Sequence, residues 1–127
     1  MLRAKYLGTI ESMALLAATY YTQGQYGKAE SMAGEVLDVS REVLGEKHPD
    51  TIQAMQSLAI CWYTCGRRDD ALCLIRQCLD RQRVVLGPDH PSTKNSTRIL
   101  AEWDWKSRQV LKRWTAKTLA ILKPTRQ

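Results

Sequence analysis

The sequence predicts an all-α fold: an α-solenoid of stacked antiparallel helical hairpins with a long C-terminal capping helix. Three observations carry this expectation. The chain repeats itself at a fixed interval, its apolar residues recur at helical spacing, and strand-like alternation is absent. Thr9, Ile10, Met13, Leu16, Ala17, Tyr21, Thr22, Gly24, Ala29, Leu37, Asp38, Arg41, Val43, Leu44, Gly45, His48 and Pro49 each recur 42 positions further on. Seventeen identities at one offset, without a gap, mean stacked supersecondary units.

The expected organisation is one domain over residues 1–127. Repeat one covers 9–50, repeat two 51–92, and a partial third repeat with the C-terminal helix 93–123. The first helix of each repeat shows Met13, Leu16, Ala17 and Tyr20, then Met55, Leu58, Ala59 and Trp62. Gly24 and Gly66 follow directly, where a left-handed residue ends a helix without a Cβ penalty. The second helices run through Ala29, Ala33, Val36 and Leu37, and through Ala71, Ile75, Cys78 and Leu79. Gly45 and Gly87 close them. Ala17 with Ala29, and Ala59 with Ala71, are small residues where paired helices can cross closely.

"LGEKHPDT" at 44–51 and "LGPDHPST" at 86–93 join the repeats and hold both histidines of the chain. Pro49 and Pro91 cannot continue the preceding helix but suit the first turn of the next. Asp50 with Gln53, and more weakly Ser92 with Asn95, have capping-box spacing. The histidines therefore read as loop punctuation one repeat apart, too far from each other to share a metal. No metal site and no cofactor are expected.

The third copy starts at Thr93, keeps Leu100 and Ala101, and then departs: Arg108 stands where the turn glycine is due. No Gly or Pro follows before Pro124, so a single long helix is expected. Ile99, Trp103, Val110, Trp114 and Ile121 approximate an apolar stripe opposite the basic residues. The stripe fits a cap over the last hairpin. It also fits a basic amphipathic helix made for a membrane surface, a nucleic acid or a partner groove.

Charge sharpens that choice. The net charge of +6 is local: from Lys106 onward there are Lys106, Arg108, Lys112, Arg113, Lys117, Lys123 and Arg126 and no acid. The rest of the chain is close to neutral. The length of 127 residues suits one domain with a real core. No apolar run approaches the roughly 18 residues of a membrane span. Arg3 and Lys5 before "MALLAATYY" faintly suggest a leader, but Glu11 interrupts it and the segment recurs in mid-chain. A cytoplasmic protein is expected. Cys61, Cys65, Cys73 and Cys78 form no CxxC pair, and repeat one has Thr19, Gln23, Ser31 and Val36 in their places. They are expected to be small buried hydrophobes.

"LLAATYYTQGQYGKAE" followed by "VLGEKHPDT" resembles the 42-residue tetratricopeptide repeat (TPR) of kinesin light chains, a type also found in fungal and bacterial repeat arrays. The resemblance runs from Thr9 to about Ala101. It rests on the Leu-Ala pairs, Gln23-Gly24, Tyr26 to Glu30, and the Leu-Gly-x-x-His-Pro loops. It implies a TPR-like superhelix with a concave side lined by the first helix of each hairpin, and work as a scaffold or sensor segment without catalysis. The expected partner is a protein or peptide. Self-association or contact with further repeats is a second option, and nucleic acid or membrane a less favoured one. The chain departs from the family's pattern at Leu15 and Ser57, where kinesin light chains often carry Asn. Glu11, Ala14 and Ala18 stand where a chaperone-tail clamp would need basic and Asn residues. About three repeats usually bury a continuous core. The chain is therefore read either as a segment of a longer array or as an array capped by its last helix.

Carrying the groove geometry over places Tyr21, Tyr63 and Trp105 at equivalent positions on successive first helices, with Gln53, Gln56 and Arg98 beside them. An aromatic column of this kind would suit an extended peptide. Alternatively, the rings stack on each other and stiffen the array. The competing surface is the basic tail: Lys106, Arg108, Lys112, Arg113 and Lys117.

Overall fold

The computed structural model describes residues 2–122 as five α-helices: α1 (Leu2–Thr22), α2 (Tyr26–Leu44), α3 (Pro49–Thr64), α4 (Arg68–Val85) and α5 (Pro91–Leu122). Each helix packs on the next in sequence, so the hairpins α1–α2 and α3–α4 stack and α5 lies on α4. No helix among the described residues is long and apolar enough to cross a membrane.

The turn glycines set the hairpins. Gly24 and Gly66 adopt φ of +79° and +93°, open to glycine and strained for other residues. The Gln25 N–H then reaches back to Tyr20 O at 2.9 Å and the Gly24 N–H to Tyr21 O at 3.1 Å. Arg67 and Gly66 repeat the pattern on Trp62 and Tyr63. These paired bonds satisfy the last carbonyls of α1 and α3 and reverse the chain within three residues. At the third such position stands Arg108, and α5 runs through it for 32 residues, about 48 Å.

The start of each following helix corrects one expectation. Pro49 is the first helical residue of α3, and its N-cap is His48, whose Nδ1 accepts the Asp50 backbone N–H at 3.1 Å. His90 does the same for Ser92 at 3.1 Å. A backbone N–H can only donate, so both Nδ1 atoms are unprotonated acceptors. The histidines are helix caps and not bare punctuation. Asp50 and Ser92 lie inside the helices, so the capping boxes do not form as their spacing suggested.

The core is one cluster running from Ile10 through Met55, Ile75 and Cys78 to Trp103. Ala29, Ala59 and Ala71 are fully buried at the helix crossings, where a larger side chain would force the backbones apart. Buried hydrogen bonds tie the hairpins together. The Thr51 hydroxyl donates to Ser40 O at 3.2 Å, linking α3 to α2, and Gln56 Nε2 donates to Ser96 Oγ at 3.1 Å, linking α3 to α5. Near the surface, Arg67 pairs with Glu30 at 2.9 Å, so the second turn is pinned to the first hairpin.

The cysteines divide. Cys61 and Cys78 are buried, as expected, whereas Cys65 and Cys73 are exposed. Those two lie on the outer surface of the hairpin, near its turn and on the solvent side of α4. Trp103 is buried and Ile99 half-buried, so the apolar stripe of α5 begins as expected. The side chains of Val110, Trp114 and Ile121 lie outside the described residues.

Candidate functional site

A cavity of about 300 Å³ opens between α1 and α3, with α2 behind it. Its α1 wall is Ala14, Ala17, Ala18 and Tyr21, and its floor is Ala33 and Val36 of α2. The α3 wall is Gln53, Ala54, Ser57, Ile60 and Cys61. The wall is almost wholly apolar, with Gln53, Ser57, Thr22 and the Tyr21 hydroxyl as its polar groups. Burial foremost, with Cys65 and Glu30 adding to it, pushes the Cys61 thiol up to about 11. It is therefore neutral at physiological pH and behaves as part of the apolar lining. At the lip, the Tyr21 hydroxyl shares a hydrogen bond with Thr64 Oγ1 at 3.1 Å, and its ring meets Tyr26 edge-on at 5.2 Å.

The repeat itself explains why this cavity is open. Forty-two positions on, Ala14 becomes Gln56, Ala18 becomes Ile60 and Cys61 becomes Trp103. At the second junction Gln56 is bonded to Ser96 and an indole covers the tyrosine. Trp103 stacks on Tyr63 with ring centroids 4.3 Å apart and planes 2° from parallel. Beside Tyr21, the position equivalent to that indole carries only the Cys61 thiol, and the neighbouring wall positions 14 and 18 carry only methyls.

The residues expected to form a binding face meet different fates. Tyr21 and Gln53 line the cavity. Tyr63 is half-buried against Trp103, with the Arg68 guanidinium 5.3 Å from its ring centre. Trp105 is 62% exposed. The three aromatics therefore do not form one open column, because the ring at the middle position is occupied. Arg98 is exposed and donates to Asn95 Oδ1 at 2.8 Å. Gln56 is a correction: it is 4% exposed and bonded to Ser96, so it holds the α3–α5 junction and has no face for a ligand.

On α5, Lys106 pairs with Glu102 and Arg108 with Asp104, both at 3.1 Å. Two of the five basic-tail residues are thus partly neutralised by the turn before them. Lys112, Arg113 and Lys117 are exposed. Among the described residues no group of His, Cys, Asp and Glu could hold a metal ion.

The tetratricopeptide repeat family model matches residues 8–83, which takes in α2, α3 and most of α1 and α4. This chain belongs to the tetratricopeptide repeat family. A search of curated proteins gave no match. Among solved structures, the chain is similar to nearly identical TPR-like repeats assigned to a kinesin light chain of Podosopora anserina. The identity is 26% and the TM-score 0.72 over 93% of this chain. A single-substitution variant of that protein matches with a TM-score of 0.71 and the same identity and coverage. This TPR chain spans 57% of the length of each. The kinesin light chain-like type of repeat and the all-α TPR solenoid are therefore established. TPR proteins are in general protein–protein interaction modules.

Proposed function

We propose that this TPR chain is a non-catalytic scaffold or sensor segment of the cytoplasm that binds a peptide or partner protein along the groove between α1 and α3. The observation that carries this is the apolar cavity beside Tyr21. At about 300 Å³ it sits at the low end of ligand pockets and has room for an anchoring apolar side chain. Gln53, Ser57 and Thr22 at its edge are uncharged hydrogen-bonding groups suited to a peptide backbone. The basic tail is the second reading. It has exposed Lys112, Arg113 and Lys117 in its favour and the ion pairs of Lys106 and Arg108 against it.

A displayed peptide library panned on the full chain tests this. Selected peptides should share an apolar anchor and lose binding to the Ala14→Gln, Ala18→Ile double variant, which installs the residues of repeat two. Ala14 and Ala18 are exposed, so that variant should fold. Equal binding by the double variant would refute the groove. Binding to anionic liposomes or duplex DNA, lost in Lys112→Glu, Arg113→Glu, Lys117→Glu, would favour the tail instead.

A further inference from the structure

The molecule carries both a hole and a knob of matching chemistry. The hole is the α1–α3 cavity, and the second junction shows what fills such a space: the Trp103 indole, laid flat on the tyrosine equivalent to Tyr21. The knob is Trp105, a second indole of the same helix, which is left 62% exposed. Isolated exposed apolar residues are ordinary, but an exposed tryptophan in a chain with an unfilled apolar recess large enough to admit it is not.

Charge follows the same division. Trp105, Arg108 and Lys112 fall at spacings of three and four on one face of α5; Arg108 is paired with Asp104, Lys112 is exposed, and from Trp105 onward the chain has no acid. Glu11 and Asp50, both exposed, lie one turn before Ala14 and Gln53, on the two helices that wall the cavity. A basic stripe carrying an indole thus faces the chemistry of an apolar recess flanked by acids.

We infer that the occupant of the cavity is Trp105 of a second copy of this chain, seated beside Tyr21 with Lys112 directed towards Glu11 and Asp50. The contact joins the last helix of one copy to the first junction of another. Donor and acceptor surfaces are different, so the interface is heterologous and each added copy offers a fresh hole or knob. The association joins the tail of one copy to the head of another. It uses the cavity of the proposed function, so a bound peptide and a neighbouring copy compete for it.

Light scattering and sedimentation over a concentration series test this on the full chain. Mass should rise with concentration above the 14.5 kDa of one chain. Trp105→Ala should weaken association at least about tenfold, as loss of a buried aromatic anchor does. Ala18→Ile, which fills the hole, should do the same. An equimolar mixture of the two variants should regain a species of two chains and no more. One partner supplies the only knob and the other the only hole. Added salt should weaken it, because the flanking contacts are charge pairs at the surface.

A wild-type chain that stays monomeric up to about 1 mM would overturn the inference. So would assembly that survives Ala18→Ile, or a mixture that stays monomeric when the wild type assembles. Peptides selected on Trp105→Ala keep the two proposals apart. Their binding to a wild-type chain that shows no self-association would leave the groove reading standing and remove this one.

Discussion

Trp103 lies flat on Tyr63, 4.3 Å between ring centres, while the residue equivalent to Trp103 at the preceding junction is Cys61. This is the largest of the three differences between the two junctions. The stack joins α5 to α3 and buries an indole that spans the edge of the core cluster. Trp103→Ala should therefore cost about 3–5 kcal/mol, by lost burial and a new cavity. Chemical denaturation with far-UV detection measures it. A cost under about 1 kcal/mol would mean that the stack adds nothing to the packing of α5.

The histidine caps are the next test. His48→Ala removes the acceptor for the Asp50 N–H and should cost about 1 kcal/mol, with His90→Ala similar and the two additive. His48→Asn keeps a side-chain acceptor at the N-cap and should restore most of the loss. Thermal melts of the three variants decide it. No loss in the double alanine variant would return the histidines to the role of spacer.

Much of this architecture was legible because a repeat writes it twice. One copy of Gly24 or Pro49 is a weak signal, and two copies at one offset fix turn and helix start together. The caps were missed for a physical reason: histidine is not among the preferred N-cap residues, and Asp50–Gln53 imitates a capping box two residues too late. The partner of Tyr63 was missed because the 42-residue offset points to Trp105, whereas the ring it meets is two residues earlier. The cavity was legible in principle, in the changes from Gln56, Ile60 and Trp103 to Ala14, Ala18 and Cys61. It takes the packing of α1 on α3 to show that the three changes line one space.

Burial should divide the thiols by reactivity. Exposed Cys65 and Cys73 should be alkylated in the native protein, and buried Cys61 and Cys78 only on unfolding. Burial raises the thiols of both Cys61 and Cys78 from 9.0 to about 11, so neither forms appreciable thiolate at pH 8. The folded state holds these protons more tightly than the unfolded chain does. The stability due to the neutral thiols is thus fully present below pH 9 and falls as pH climbs towards 11. Mass spectrometry after brief iodoacetamide treatment checks the division. Rapid labelling of Cys61 would show that the cavity wall opens.

Gln53 and Gln56, three residues apart on α3, should separate binding from folding. Gln56→Ala takes away the buried bond to Ser96, leaves that hydroxyl without its partner, and should cost about 1–3 kcal/mol of stability. Gln53 is exposed on the cavity wall, so Gln53→Ala should change stability by no more than about 0.5 kcal/mol. Its effect should fall on affinity for a groove-bound peptide, by about 1 kcal/mol, the scale of one hydrogen bond. Denaturation curves and peptide titrations on both variants give the four numbers needed. If Gln53→Ala binds peptide as the wild type does while Gln56→Ala, still folded, does not, then the ligand lies at the second junction and the α1–α3 cavity is not its site.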